Sequence, residues 1–236
     1  MNWLRDWMMP LAASEHAKKV DDLYLFIFWL TLAWFILIVY LTVLFPIKYK
    51  RKKEGVLTVN FSHSLVLELA WSVIPLILVI GLFFWGFNDY AESFVHQNDA
   101  LEIHVTASKW KWAFEYPDGS RSIKALHVPV NKPVRLVLTS EDVLHAFFIP
   151  SLRTKTDVIP GRYVELPFTP TVAGKHQVFC AEYCGTNHSG MIGNVIVMDP
   201  VEYQAWLQGG GMDGTLAQRG AKLFNDLACS TCHLDS

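Results

Sequence analysis

The stretch that decides the fold is Leu23–Phe45, LYLFIFWLTLAWFILIVYLTVLF, which runs for twenty-three residues without a charged side chain. A second stretch, Leu69–Phe87, LAWSVIPLILVIGLFFWGF, continues for nineteen residues without one. A helix needs about 20 apolar residues to cross the ~30 Å hydrocarbon core of a bilayer. Both stretches are therefore predicted to be membrane-spanning helices that form a hairpin over residues 23–88. Two buried helices of a soluble core are the disfavoured alternative.

The distribution of lysine and arginine predicts the orientation of the hairpin. The connection between the two spans contains five basic residues in six positions, which are Lys48, Lys50, Arg51, Lys52 and Lys53. The first 22 residues contain only three, and none occurs between the second span and Lys109. The positive-inside rule therefore places loop 46–68 in the cytoplasm, and the N-terminal segment 1–22 and everything after residue 88 outside. We expect a multi-pass protein of the bacterial cytoplasmic membrane. The apolar stretch near Met8 is too short for a signal peptide.

Residues 89–200 have a different pattern, one of short strands. The stretch LEIHVTASKWKWAFEY (101–116) alternates apolar and polar side chains over several residues, and turn signals such as Pro117-Asp118-Gly119 and Pro160-Gly161 separate further β-branched and aromatic runs. Short strands over about a hundred residues are typical of an antiparallel sandwich or a small Greek-key barrel. The region lacks the helical patterns that a parallel α/β fold would need.

A connection and a short cysteine motif follow the β region. Residues 201–215 include Gly209-Gly210-Gly211 and are predicted to be a linker. Residues 216–236 read as a helix that runs into CSTCH, with Cys229, Cys232 and His233 at the CxxCH spacing that attaches c-type haem. The same spacing also occurs in zinc and redox proteins. The net charge of −2, without a basic face, argues against a nucleic-acid partner.

The stretch FCAEYCGTNHSGM (179–191) contains the residues most typical of a metal site. At successive spacings of four, four and three positions it holds Cys180, Cys184, His188 and Met191. Two thiolates, an imidazole and a thioether are soft donors that favour copper. A blue-copper site needs one cysteine and two histidines, so the second cysteine suggests two coppers bridged by both sulfurs. His145, which lies in SEDVLHAFFIP, is the best candidate for the second histidine.

Two simpler explanations of this cluster stay open. A disulfide between Cys180 and Cys184 is sterically possible, but it leaves the nearby histidine, the methionine and Glu182 unexplained. A zinc site would leave the methionine without a role, because zinc seldom recruits a thioether. The residues by themselves therefore favour copper over either alternative.

Three motifs in the expected order resemble subunit II of cytochrome c oxidase. They are CAEYCGTNHSGM (180–191) with the upstream SEDVLHAFFIPSLRTKTDVIPGR (140–162), the aromatic run WKWAFEYPDG (110–119), and LELAWSVIP (67–75) at the start of the second span. The resemblance covers about residues 20 to 200. It implies an all-β, cupredoxin-like Greek-key barrel held outside the membrane by the two-helix anchor.

The resemblance also implies which residues bind metal. The copper ligands would be the side chains of His145, Cys180, Cys184, His188 and Met191, with the backbone carbonyl of Glu182. The side chain of Glu182 would bind a magnesium ion shared with subunit I. Trp110 would be the exposed tryptophan above the copper centre through which electrons enter. For the aromatic side chains of the run 110–116, a place in the barrel core is the alternative.

The resemblance also implies functional roles for three acidic residues. Glu141 and Asp142 would belong to an acidic rim that docks a basic cytochrome, and a solvated turn explains them equally well. Glu68 would lie near the mouth of a proton-uptake path in subunit I, and an ordinary interfacial charge is the alternative.

The C-terminal motif resembles the first helix of a fused cytochrome c domain, which some members of the family carry. RGAKLFNDLA (219–228) precedes CSTCH, so haem c would be attached through Cys229 and Cys232 with His233 as an axial ligand. A cytochrome c fold needs many more residues than follow this motif. We therefore expect the native chain to continue beyond Ser236 and the haem domain within residues 216–236 to be incomplete.

Together these features suggest subunit II of a membrane haem-copper terminal oxidase. It would accept electrons from cytochrome c or another donor and pass them to the haem and copper of subunit I, which reduces oxygen to water with proton pumping. Its partners would be subunit I, further oxidase subunits and the lipid bilayer. A subunit of a nitric oxide reductase and a membrane-anchored copper carrier are the alternatives. A quinol oxidase subunit is disfavoured, because those lack the copper ligands.

Overall fold

A computed structural model describes residues 5, 7–51, 63–94, 99–210, 220–221, 224–225 and 229. The chain divides into two compact units. One is Val20–Ala91, and the other combines the residues up to Lys19 with those from Glu92 onward.

The first unit consists of two long apolar helices, as the sequence predicts. Helix α1 is Glu15–Lys48 and helix α2 is Leu65–Ser93, and the most apolar window of each has a mean hydropathy of 2.4. At 1.5 Å per residue both are long enough to cross the ~30 Å apolar core of a bilayer. Phe26 of α1 contacts Trp85 of α2, with ring centroids 5.5 Å apart. None of the side chains of α2 is buried, which fits a helix surrounded by lipid.

Among its described residues, the second unit contains ten strands. They are β1 (Leu101–Ser108), β2 (Lys111–Glu115), β3 (Arg121–Ile123), β4 (Ala125–Pro129), β5 (Val134–Ser140), β6 (His145–Ile149), β7 (Thr154–Val158), β8 (Val164–Phe168), β9 (Gly174–Cys180) and β10 (Ile192–Met198). One sheet has the order β3-β2-β1-β5-β8 and the other the order β4-β10-β9-β6-β7. The result is a cupredoxin-like sandwich, which confirms the predicted fold class.

Two strand pairs depart from the antiparallel sandwich that the sequence pattern suggests. Strand β1 pairs with β5 in parallel, with Leu101 opposite Val134, and β10 pairs with β4 in parallel, with Asn194 opposite Ala125. The remaining strand pairs are antiparallel. Side chains alternate between the two faces with a period of two in either kind of strand. The sequence pattern therefore locates strands but does not reveal the direction of their neighbours.

The core of the sandwich is aromatic on the side of β2 and β6. Trp112 and Phe114 of β2 and the following residue, Tyr116, are all at most 3% exposed, so for these three the core explanation is correct. Phe147 of β6 packs edge-to-face against both Trp112 and Phe114, with centroids 4.9 and 6.3 Å away. Such pairs add about 0.5–1.5 kcal/mol each beyond the burial of their area.

The N-terminal segment packs onto this β domain, which the sequence does not predict. Ala13 is fully buried, donates its backbone N–H to the carbonyl of Ser151 at 2.8 Å, and accepts at 2.8 Å from the N–H of Thr171. The guanidinium of Arg153 donates to the carbonyl of Pro10. The predicted outer segment thus contributes a residue to the hydrophobic core.

The chain continues to pack on the domain beyond β10. A short helix, α3 (Pro200–Ala205), is capped by Asp199, whose carboxylate accepts from the backbone N–H of Val201 at 2.8 Å. Trp206, the residue after this helix, stacks on His127 with ring centroids 4.3 Å apart and contacts Tyr116 with centroids 4.8 Å apart. The β domain therefore includes residues that the sequence pattern assigns to the linker.

Candidate metal centre

Strand pairing places the candidate donors at one end of the second sheet. His145 is the first residue of β6 and Cys180 the last residue of β9. These strands are antiparallel neighbours, with Phe147 opposite Cys180, so the start of one lies beside the end of the other. Residues 181–191 then form the loop that leads into β10, which also pairs with β9. A histidine and a cysteine separated by 35 positions are thereby brought together.

All six predicted ligand positions converge on the two sulfurs. Cys180 Sγ lies 3.8 Å from His145 Nδ1 and 3.2 Å from the carbonyl oxygen of Glu182. Cys184 Sγ lies 3.5 Å from His188 Nδ1 and 3.8 Å from the sulfur of Met191. The two cysteine sulfurs are 3.8 Å apart. Each sulfur therefore has one histidine and one weaker donor of its own.

The donor set fits a soft metal better than the two simpler alternatives. A disulfide needs sulfurs about 2.05 Å apart, and these two thiols are free. Structural zinc is held by four ligands in a tetrahedron, whereas six donors converge here. Two thiols, two imidazoles and a thioether match the preference of copper, and the donor atoms of His145, Cys180 and Cys184 lie within 4.8 Å of one another.

Burial makes the ionisation of the Cys184 thiol depend on a nearby cation. His145 and Met191 are at most 1% exposed and Cys184 is 3% exposed. Burial, followed by the negative charge of Cys180 and of Asp142, raises the pKa of Cys184. At neutral pH the thiolate form is therefore disfavoured unless a positive charge is present. A bound metal would supply that charge, since thiolate is the form that ligates metals.

Asp142 holds the first histidine in place. Its carboxylate lies 2.9 Å from His145 Nε2 and accepts from the backbone N–H groups of Val143 at 2.7 Å and Lys109 at 2.8 Å. Partial burial alone would raise the pKa of Asp142, but these hydrogen bonds outweigh it and lower that pKa. With Nε2 donating to the carboxylate, the lone pair of Nδ1 points to the sulfur, an arrangement common among metal-binding histidines.

This role of Asp142 is additional to its predicted place on a docking rim, which stays a prediction. Its side chain is 27% exposed, and both of its oxygens are engaged by neighbouring groups. Glu141 is exposed, as a rim residue would be. The spacing of three residues between Asp142 and His145 is the sequence signal that could have indicated the hydrogen bond.

Trp110 lies against the metal-binding loop and is half-buried, whereas the sequence analysis expects it to be exposed. A Cβ added to Gly185 would come within 3.4 Å of its indole ring, and Gly185 has a φ of +118°. The positive φ favours glycine at this turn of the loop, and the indole lies beside the turn. Trp112 lies two residues further along the chain, on β2, and its ring centroid is 6.0 Å from that of His145.

Exposed apolar side chains surround the candidate centre, and the sequence analysis did not identify them. Leu144, Tyr183 and Ile192 are 38%, 74% and 40% exposed, and each is the direct sequence neighbour of a candidate ligand. The ring of Tyr183 lies 5.7 Å from that of His188. The alternation of β10 could have indicated Ile192, since side chains on a strand point alternately inward and outward.

The other predicted sites belong to different parts of the chain. Glu68 lies in the first turn of α2, where its backbone N–H donates to the carbonyl of Ser64 at 2.9 Å. Cys229 is partly buried. Cys232 and His233 lie outside the described residues, so the structure does not test the haem motif.

Two apolar helices followed by a cupredoxin-like sandwich with a soft-metal donor set define a membrane-anchored cupredoxin. Residues 3–88 match the profile described as cytochrome c oxidase subunit II, transmembrane domain. Residues 121–199 match the one described as cytochrome c oxidase subunit II, periplasmic domain. The chain belongs to the cytochrome c oxidase subunit II family, whose members are subunits of a haem-copper oxidoreductase.

Two curated proteins and one solved structure are among those similar to this chain. Cytochrome c oxidase subunit 2 of Synechocystis is 28% identical over 85% of this chain and 75% of the relative. The protein of the same name from Alkalihalophilus pseudofirmus is 30% identical over 79% of this chain and 58% of the relative. The crystal structure of the periplasmic domain of subunit II from Bradyrhizobium japonicum is 30% identical, with a TM-score of 0.47, over 49% of this chain and 96% of that one.

Proposed function

We propose that this chain is the electron-accepting subunit of a haem-copper terminal oxidase. It takes electrons from cytochrome c or a similar donor and delivers them to the haem and copper of subunit I, where oxygen is reduced to water with proton pumping. The observation that carries the proposal is the pair of buried thiols 3.8 Å apart, each with its own histidine. Membership in the subunit II family supports it independently.

Six donors would hold two copper ions. They are the side chains of His145, Cys180, Cys184, His188 and Met191 and the carbonyl of Glu182. When bound, such a binuclear centre supplies a site that takes up and releases one electron. His145 and Cys180 lie at the ends of β6 and β9, and the loop between β9 and β10 supplies the other donors, so that little has to move when the charge changes. Burial of four of the donor side chains excludes water from most of the site, and Asp142 orients His145.

The surface around the centre would receive the electron donor. Trp110 covers the ligand loop through its contact with Gly185 and is the proposed point of electron uptake. Glu141 is the proposed rim charge, with a smaller contribution from the partly buried Asp142. Rim charges of this kind raise the association rate more than the affinity. The exposed Tyr183 adds apolar contact area beside His188.

The remaining assignments extend the same proposal. The exposed side chain of Glu182 would bind the magnesium ion shared with subunit I, and Glu68 would lie near the mouth of a proton path. Cys229, Cys232 and His233 would attach a haem c. The basic loop would face the cytoplasm, and the copper domain and both termini would face outward, as the positive-inside rule predicts.

Stopped-flow reduction of the copper-loaded full chain tests the proposed function. Reduced cytochrome c should be oxidised by the chain in a second-order reaction that slows as ionic strength rises. Trp110→Phe should lower this rate by about tenfold or more with unchanged copper content, since misplacing the contact reduces the productive geometry. Trp206→Phe is the matched control, because this tryptophan follows helix α3 and contacts Tyr116 instead of the ligand loop, and it should leave the rate unchanged. Failure of the loaded chain to accept electrons would contradict the proposal.

A further inference from the structure

We propose that Lys48, Lys50 and Arg51 form a binding surface for the phosphate groups of anionic lipids. These three residues, here called the basic collar, lie at the C-terminal end of helix α1 and directly after it. All three are exposed. The proposal does not depend on the copper centre or on electron transfer.

The basic residues at the two ends of α1 differ in their ion-pair partners. At the N-terminal end Lys18 pairs with Glu15 at 2.6 Å, and Lys19 pairs with Glu92 at 2.5 Å. Among the residues that the structure describes, no carboxylate forms an ion pair with any member of the basic collar. The ammonium group of Lys48 lies 5.4 Å from the ring centroid of Tyr49 instead. The positive charge at this end is therefore available to an external anion.

The geometry of α1 places the basic collar at headgroup depth. The uncharged stretch Leu23–Phe45 is twenty-three residues long, which corresponds to about 35 Å of helix against an apolar core of ~30 Å. Lys48 follows it by less than one turn. Phe45 and Tyr49 lie beside each other with ring centroids 5.9 Å apart, and both are exposed. Aromatic side chains prefer the membrane–water interface, so this pair marks the same level.

Lipid phosphate is the anion that this arrangement fits. Each lysine or arginine near an anionic membrane surface strengthens the binding of the protein to that surface about fivefold, and the attraction falls off within a Debye length. The charge is concentrated within four positions at the point where the helix leaves the apolar core. Lys52 and Lys53 continue the same charge in the sequence, although they lie outside the described residues.

Lipid selectivity of the reconstituted full chain tests the proposal. The chain is placed in phosphatidylcholine vesicles that contain a trace of spin-labelled phosphatidylglycerol or spin-labelled phosphatidylcholine. Electron paramagnetic resonance then measures the fraction of each label immobilised by the protein. We expect phosphatidylglycerol to be preferred by about tenfold at low salt and by much less at 0.5 M salt, since screening shortens the reach of the charges.

Two matched variants test whether the basic collar causes this lipid preference. The triple variant Lys48→Gln, Lys50→Gln, Arg51→Gln should lose most of the preference, while Lys18→Gln, Lys19→Gln should keep it, because those lysines are paired with carboxylates. Equal association of both labels with the unmodified chain would overturn the proposal, and so would a triple variant that keeps its preference. A triple variant that loses its partner subunit on purification but keeps its lipid selectivity would show a protein interface instead.

Discussion

The contacts at one end of the β domain can be predicted from the sequence, and those at the other end cannot. At the metal end, five of the six candidate donors lie within a stretch of twelve residues, 180–191, and are recognised by their chemistry. At the other end, the contacts join ordinary residues that are far apart in the chain. Ser14 and Leu152, which share a hydrogen bond there, are 138 positions apart. Chemistry that is rare and local can be read from a sequence, whereas packing between distant common residues cannot.

The two ends should also differ in what they contribute. The metal end buries polar donors, which contribute little to the stability of the metal-free chain. The other end, which consists of the Ala13 segment and the aromatic cluster of Tyr116, His127, Tyr203 and Trp206, buries apolar surface. Substitutions at the metal end should therefore affect copper binding, and substitutions at the other end should affect the free energy of unfolding.

The largest expected effect is that of Cys184→Ser. Cys184 Sγ has close contacts to Cys180, His188 and Met191, so its removal breaks the link between the two groups of donors. The variant should lose the binuclear copper signal completely while remaining in the membrane fraction. Atomic absorption and electron paramagnetic resonance measure the outcome. Cys229→Ser is the control, and a binuclear signal that survives in Cys184→Ser would contradict the ligand assignment.

Trp206→Ala should have the largest effect on stability. Its ring packs between His127 and Tyr116, and truncating a packed tryptophan costs about 3–5 kcal/mol when it is fully buried. Because Trp206 is only partly buried, we expect a loss of about 2 kcal/mol in the free energy of unfolding. Denaturant titration of the metal-free full chain measures this loss. Trp7→Ala, at a side chain that is 79% exposed, should change stability by less than about 0.5 kcal/mol.

If the comparison of the two ends is correct, Trp206→Ala should still bind the full complement of copper once it is folded. Loss of copper from a folded Trp206→Ala variant would mean that the two ends are coupled, and the proposed separation of roles would be wrong.

Asp142→Ala should weaken copper binding without abolishing it. The carboxylate orients His145 by accepting from Nε2, and loss of such a partner lowers metal affinity by about 10–100-fold. Competition with a chelator of known affinity measures the change. Glu141→Ala is the matched control, because the neighbouring exposed glutamate should affect only the docking of the electron donor. Equal effects of the two substitutions would remove the positioning role of Asp142.

The smallest expected effect is a pH dependence that comes from Tyr116. Burial raises the pKa of Tyr116 from 10.0 to about 12. Its folded pKa lies above the unfolded one, so its contribution to stability is complete below pH 10 and is lost as pH rises to about 12. At pH 11 the loss should be about 1 kcal/mol, and Tyr116→Phe should remove this part of the alkaline decline. Unfolding curves between pH 8 and 11 test it. A decline of unchanged slope in the variant would exclude Tyr116 as its source.

Much of the fold and of the site could be predicted from the sequence, for identifiable reasons. The two helices are visible because lipid demands long uncharged stretches such as Leu23–Phe45. The donors are visible because soft ligands at short spacings have few other uses. The parallel pairing of β1 with β5 could not be predicted, because side-chain alternation is the same in both directions.

The orientation of individual side chains accounts for what was missed at the site. Asp142 could point to solvent or to His145, and the backbone N–H groups of Lys109 and Val143 decide between them. Trp110 is half-buried because its ring lies beside Gly185, in the loop between β9 and β10. Both outcomes depend on contacts between segments that a strand pattern does not connect.

The most direct test of the central claim is the copper content of the purified full chain together with its electron paramagnetic resonance spectrum. The proposed donor set predicts two copper ions per chain and a seven-line hyperfine pattern, because one unpaired electron is shared equally by two copper nuclei. One copper ion with a four-line pattern, or a chain that binds none, would contradict a binuclear centre at His145, Cys180, Cys184 and His188.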